Sequence, residues 1–164
     1  VVELLATRHG GRLKKAREAA TVAEVRVGPF RLALAFPLTY MNDSGRAVGP
    51  LVRRFSIDDL SHLVIVHDEL DLPVGVVRVK AGGGLAGHNG LRSIKAHLHD
   101  DSFTRIRIGI GKPPGGKENG VDHVLKAPGK REREELATAV EVAADAVESL
   151  LSEGVVATQN RFNG

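Results

Sequence analysis

A chain of 164 residues, 42% hydrophobic and 26% charged, is long enough to bury one ordinary domain core and is neither fibrous nor disordered in composition. The absence of cysteine excludes disulfides, thiolate metal sites and cysteine nucleophiles, and the longest apolar runs, such as residues 63–66, are too short to cross a bilayer as a helix. A net charge of +3 permits a polyanionic partner without demanding one, and one tyrosine with five phenylalanines makes an extended base-stacking platform improbable.

Strand-like and helix-like segments alternate, which predicts an α/β fold: a single domain with a twisted, mixed, mostly parallel sheet flanked by helices. Residues 1–6 read as the end of a helix. Residues 21–27 and 30–36 form a predicted hairpin around Gly28-Pro29. Asp43 or Ser44 is placed to cap a helix reaching Phe55, with Val48, Leu51, Val52 and Phe55 at helical spacing. The run Leu63-Val64-Ile65-Val66 has the pattern of a strand buried on both faces. In residues 76–80, alternation sets Val77 and Val79 on one face and Arg78 and Lys80 on the other. In residues 105–110 it turns Ile106, Ile108 and Ile110 inward and Arg105 and Arg107 outward. Leu91, Ile94 and Leu98 mark a helix between those strands. A last amphipathic helix carries Leu136, Val140, Ala143, Val147 and Leu150, with Gly154 as its stop. The segment 111–120 (GKPPGGKENG) is expected to be a mobile loop. Basic residues gather at Arg8, Arg12, Lys14, Lys15 and Arg17 and at Lys126, Lys130, Arg131 and Arg133, a pattern that a solvated face also explains.

Three segments carry chemistry. His67-Asp68-Glu69-Leu70-Asp71 follows a predicted buried strand, where a carboxylate is well placed to orient a histidine acting as general base; turn or cap chemistry at Asp68 and Asp71 explains the same residues as well. The pair also invites a Mg²⁺ site, but no further ligands converge in sequence. Gly82, Gly84 and Gly87 satisfy G-x-G-x-x-G between a strand and a helix, so a nucleotide- or dinucleotide-binding enzyme is the alternative function. The preceding strand is basic and amphipathic, however, and no ribose-binding acid follows. Asn89 at the start of the next helix is either an amide that donates and accepts hydrogen bonds or simply an N-cap. Thr39-Tyr40-Met41-Asn42 ends a strand just before a helix. Tyr40 and Met41 alone would suit a core, and Asn42 a cap.

Taken together and in order, residues 37–45 (PLTYMNDSG), 67–73 (HDELDLP) and 82–93 (GGGLAGHNGLRS) resemble the bacterial peptidyl-tRNA hydrolase family. The segments RIRIGIG at 105–111 and ATQNRFNG at 157–164 look like its later signatures. The resemblance implies a cytoplasmic, monomeric esterase without metal or cofactor that releases peptide from peptidyl-tRNA through a base-activated water. It implies that Asp68 orients the general-base histidine, that Asn42 and Asn89 bind substrate, and that Tyr40 contacts the tRNA. Lys80 and Arg107 fall where basic residues suit a tRNA phosphate, and Met41 and His88 lie beside the site. Such proteins open with a strand ending in Gly-Asn-Pro-Gly, then a Thr-Arg-His-Asn segment that holds the base. Thr7-Arg8-His9-Gly10 imitates the second, but residues 1–6 precede it and read as a remnant of the helix that follows the base. His9 is therefore expected to be an exposed loop residue, and the catalytic histidine to lie upstream of Val1. Phe36, and Leu85-Ala86, depart from the family's usual lysine and histidine-glycine.

Overall fold

The computed structural model describes residues 1–85, 87–112 and 129–164. They divide into two compact units, one made of Val2–Val64 with Ala81–Thr104, the other chiefly of Ile65–Lys80 with Arg105–Gly164.

In the first unit, the alternating sequence after Ala19 folds as the predicted hairpin. Strands β1 (Lys14–Lys15), β2 (Ala20–Val27) and β3 (Phe30–Pro37) form an antiparallel sheet in that order, with pairing from Ala20↔Pro37 to Val27↔Phe30. Gly28 takes φ +58°, the conformation a two-residue hairpin turn needs at its first central position. Period-2 alternation then sorts the side chains. Ala20 and Val22 pack on Ala47 and Leu51 of helix α2 (Gly45–Arg54), while Ala23, Val25 and Leu34 are buried on the other face. Helix α1 (Val2–Arg8) lies against β3, and His9 in the turn after it is half-buried rather than exposed, its N–H donating to the Leu5 carbonyl at 3.1 Å.

Helix α2 packs on α3 (Asn89–Leu98) through Gly45. A Cβ at Gly45 would overlap the Ser93 carbonyl and the His97 ring. The Gly45 N–H donates to Ser93 Oγ at 2.9 Å, so α3 supplies the cap that the sequence assigned to Asp43 or Ser44. The Ser44 hydroxyl turns back to the Met41 carbonyl at 2.7 Å.

The second unit centres on strands β4 (Val64–Glu69), β5 (Val77–Ala81) and β6 (Thr104–Gly109), ordered β4-β6-β5. Backbone bonds from Thr104 to Leu63 and from Ile110 to Glu69 make β4 and β6 parallel. Bonds from Gly75 to Gly109 and from Gly82 to Phe103 make β5 and β6 antiparallel. The α/β architecture is the expected one; among the described residues the strands form two sheets instead of one, and the parallel pairing is that of β4 with β6.

Being central reverses one expectation. On β6, Arg105 is 1% exposed and Arg107 half-buried, because neighbours on both sides cover the face the alternation assigned to solvent. Conversely β4, at the sheet edge, leaves Val64, Ile65 and Val66 only partly buried. Helix α4 (Lys130–Glu153) buries Ala139, Ala143 and Val147 and stops at Gly154, φ +86°. Helix α5 (Val155–Phe162) delivers Asn163, whose carboxamide accepts from the Val79 N–H at 2.7 Å and donates to the Val79 carbonyl at 2.8 Å. The side chain thus stands in for a further strand at the edge of β5. The predicted loop lies, beyond Lys112, outside the described residues.

Two substitutions check this packing by equilibrium urea unfolding. Gly45→Ala is expected to cost about 1–3 kcal/mol by overpacking the α2–α3 crossing. Asn163→Ala is expected to cost about 1–3 kcal/mol by removing the acceptor of the Val79 N–H and the nearer donor to the Val79 carbonyl, which Gln159 Nε2 also reaches at 3.4 Å. A loss under about 0.5 kcal/mol for either removes the contact from the account.

Candidate functional site

The end of β3 sets up the first group of residues. After Pro37 the chain stays extended, then tightens at Met41–Asp43 into a single 3₁₀ turn, with Tyr40 before it at φ −62°, ψ 155°. That turn packs on the start of α3, and a Cβ at Gly90 would come within 3.2 Å of Met41 Cγ and 3.0 Å of the His88 ring. Glycine at position 90 therefore lets the Met41 side chain lie on the helix backbone. The packing brings the segments bearing Asn42 and Asn89 together, although 46 residues of sequence lie between them.

His88 caps α3: its Nδ1 accepts from the Leu91 N–H at 3.2 Å, which requires the imidazole to be unprotonated at that nitrogen. Asn89 is therefore the first helical residue and not the cap. Among the described residues, no hydrogen bond engages the carboxamide of Asn42 or of Asn89, and both residues are exposed. Tyr40 is 87% exposed and Met41 46%. Two uncommitted amides beside an uncovered aromatic ring are equipped to hydrogen-bond a polar group while a flat apolar group rests on the ring.

Asp68 and the basic residues belong to the other unit. Asp68 is the penultimate residue of β4 and half-buried. The neighbouring His67 is buried and its Nδ1 lies 2.8 Å from the Asp68 carbonyl, an oxygen that only accepts, so Nδ1 carries the proton. Glu69, on the opposite face of β4 from Asp68, faces the charged residues of β6. Its carboxylate lies 3.8 Å from the Arg107 guanidinium and accepts a long 3.5 Å bond from the Asp71 N–H. Partial burial, then the adjacent Arg105 and Arg107 charges, hold the Lys80 ammonium below its ordinary pKa, with Glu69 opposing. Lys80 and Arg107 thus occupy one crowded cationic cluster. Sequence reading missed Glu69 and Arg105 as its members. The parity that joins 105 to 107 was visible, but the burial of both depends on β6 being central.

The glycine-rich segment does not have the setting a dinucleotide site needs. It joins β5 to α3 and then β6, and β5 and β6 are antiparallel, whereas the G-x-G-x-x-G turn works within a parallel βαβ unit. Among the described residues, no three His, Asp or Glu side chains gather as a metal would require.

Comparison with known proteins agrees. The family model described as peptidyl-tRNA hydrolase matches residues 1–164. The chain is 49% identical over 163 residues to the peptidyl-tRNA hydrolase of Frankia alni, covering 99% of this chain and 82% of that one. It is 46% identical over 170 residues to that of Kineococcus radiotolerans, covering 99% and 85%. The crystal structure of peptidyl-tRNA hydrolase from Acinetobacter baumannii superposes with a TM-score of 0.92 at 37% identity, over 99% of this chain and 82% of that one. With a family model matching the whole chain and relatives at nearly half identity over almost all of it, the chain belongs to the peptidyl-tRNA hydrolase family.

Proposed function

We propose the following roles in the hydrolysis of peptidyl-tRNA that this family carries out. Asn42 and Asn89 hold the ester end of the substrate, Tyr40 supports the terminal nucleotide, and Met41 and His88 fix the turn and the helix start that present them. The single observation that carries this is the pair of unengaged carboxamides on two packed elements beside an exposed aromatic ring. An ester is already activated. A water whose proton passes to a histidine attacks the carbonyl carbon, the C–O bond to the tRNA breaks, and the tRNA hydroxyl leaves with a proton. Amide N–H donors aimed at the carbonyl oxygen suit the negative charge that builds there.

Asp68 is assigned to orient the general-base histidine. Its place at the carboxyl end of a sheet strand supports the role. Lys80 and Arg107 are assigned to a tRNA phosphate, supported by the concentration of positive charge that Arg105, Arg107 and Lys80 create on one side of β5 and β6. The protein is proposed to act as a cytoplasmic monomer, with no metal, cofactor or obligate protein partner. Among the described residues, no helix is long and apolar enough to cross a membrane.

In the full-length protein, Asp68→Ala is expected to lower kcat by about 10²–10⁴-fold while the Kd for tRNA stays within twofold. Unchanged turnover removes Asp68 from the mechanism. Asn89→Ala is expected to lower kcat by about 10²-fold and also weaken binding, as removal of an oxyanion donor does; an effect on neither sinks the assigned role. Lys80→Ala is expected to raise KM and to make the log–log salt dependence of tRNA binding shallower by about 0.9, one phosphate contact. A slope equal to the wild type's contradicts the phosphate assignment.

A further inference from the structure

The β2–β3 hairpin is longer than the helix that covers it. Ala20 and Val22 on β2 and Ala35 on β3 lie against α2, whose last turn ends at Arg54. The same face continues past that end with Glu24 and Arg26 on β2 and Arg31 on β3. This overhang and the end of α2 enclose a groove of about 730 Å³, floored in part by Phe55 and Ile57.

Arg26 and Arg31 are direct cross-strand partners, so their side chains leave the same face of the hairpin. Like charges directly opposite one another weaken a hairpin. Among the described residues, no carboxylate pairs with either arginine, Glu24 on the same face included. Arg54, the third arginine of the groove, is already committed: it contacts Glu18 at 3.0 Å and stacks on Phe55 at 4.9 Å. The repulsive pair is therefore the part of the groove left to an anion from outside.

We propose that Arg26 and Arg31 form a second contact for the sugar-phosphate backbone of tRNA, remote from the ester. The inference rests on the reading of the Tyr40–Asn42 turn as the end that takes the ester. Pro37 lies six positions beyond Arg31 on the same strand, a span of about 20 Å. One terminal nucleotide cannot bridge that distance, whereas a tRNA stem carries phosphates over its whole length. Two guanidinium groups side by side match a run of regularly spaced phosphates, and guanidinium binds phosphate in bidentate fashion. The contact would add affinity and orientation for intact tRNA and leave the chemistry untouched.

The test compares full-length wild type with Arg26→Ala/Arg31→Ala in two measurements: binding of deacylated tRNA across a salt series, and cleavage of two esters, intact peptidyl-tRNA and the same peptide on a 3′-terminal trinucleotide. The double variant is expected to bind tRNA about tenfold more weakly, with a log–log salt slope shallower by about 1.8, two phosphates' worth. It is expected to cleave the trinucleotide ester at the wild-type rate and to melt at or above the wild-type temperature. Arg26→Lys/Arg31→Lys should restore most of the tRNA binding, which separates lost charge from lost fold. Unchanged tRNA affinity and slope overturn the proposal, as does an equal loss on the trinucleotide ester. Loss of binding to hexaglutamate with tRNA binding intact also overturns it, in favour of an acidic peptide. If the wild type cleaves neither ester, the Tyr40–Asn42 reading fails, while the tRNA salt series still decides the hairpin contact.

Discussion

The close approach of the residues 41–45 segment to α3 is the constraint on which the first unit depends for presenting Asn42 and Asn89. Two glycines permit it, Gly45 where α2 begins against Ser93 and His97, and Gly90 beneath Met41. One hydrogen bond from Gly45 to Ser93 then uses an N–H that a helix start would otherwise leave unsatisfied. Because His88 takes over the capping of α3, Asn89 is spared that duty, and because Ser44 bonds back to Met41, the turn holding Asn42 is fixed without using the Asn42 amide. Preorganised, uncommitted donors are what a developing negative charge rewards, since they need no rearrangement at the moment of reaction.

The second unit solves a different electrostatic problem. Arg78, Lys80, Arg105 and Arg107 share one side of its sheet with Glu69, and the Arg107–Glu69 contact at 3.8 Å is too long to be a tight bidentate pair. Burial first, and then the neighbouring arginine charges, lower the affinity of Lys80 for its proton. A surplus of buried or half-buried positive charge is unfavourable for folding alone and favourable for holding an anion. The hairpin arginines repeat the pattern in the other unit at an exposed position.

Much of this was legible in the chain. Period-2 alternation identified the hairpin and β5, the Gly28-Pro29 pair placed the turn, and the helical stripe from Leu136 to Leu150 with Gly154 bounded α4. The signatures 37–45, 67–73 and 82–93 pointed to the family to which the chain belongs, because each combines a turn with the residues around it. What stayed hidden depends on neighbours in space. Arg105 reads as a solvent-facing residue until β6 is known to be central, and Leu63-Val64-Ile65-Val66 reads as fully buried until β4 is known to be an edge. The cap of α2 could not be read locally, since it comes from Ser93, 48 residues away. Nor does the register of Arg26 with Arg31 exist until the turn fixes it.

The central claim is that the amides of Asn42 and Asn89 act on one ligand group as a unit, because their elements are packed together. A double-mutant cycle on kcat/KM for peptidyl-tRNA, with Asn42→Ala and Asn89→Ala alone and combined, tests it most directly. Joint action predicts that the two losses fail to add, with an interaction of about 0.5–3 kcal/mol. Losses that add to within about 0.3 kcal/mol would mean the two side chains work independently, and the shared site would have to be abandoned.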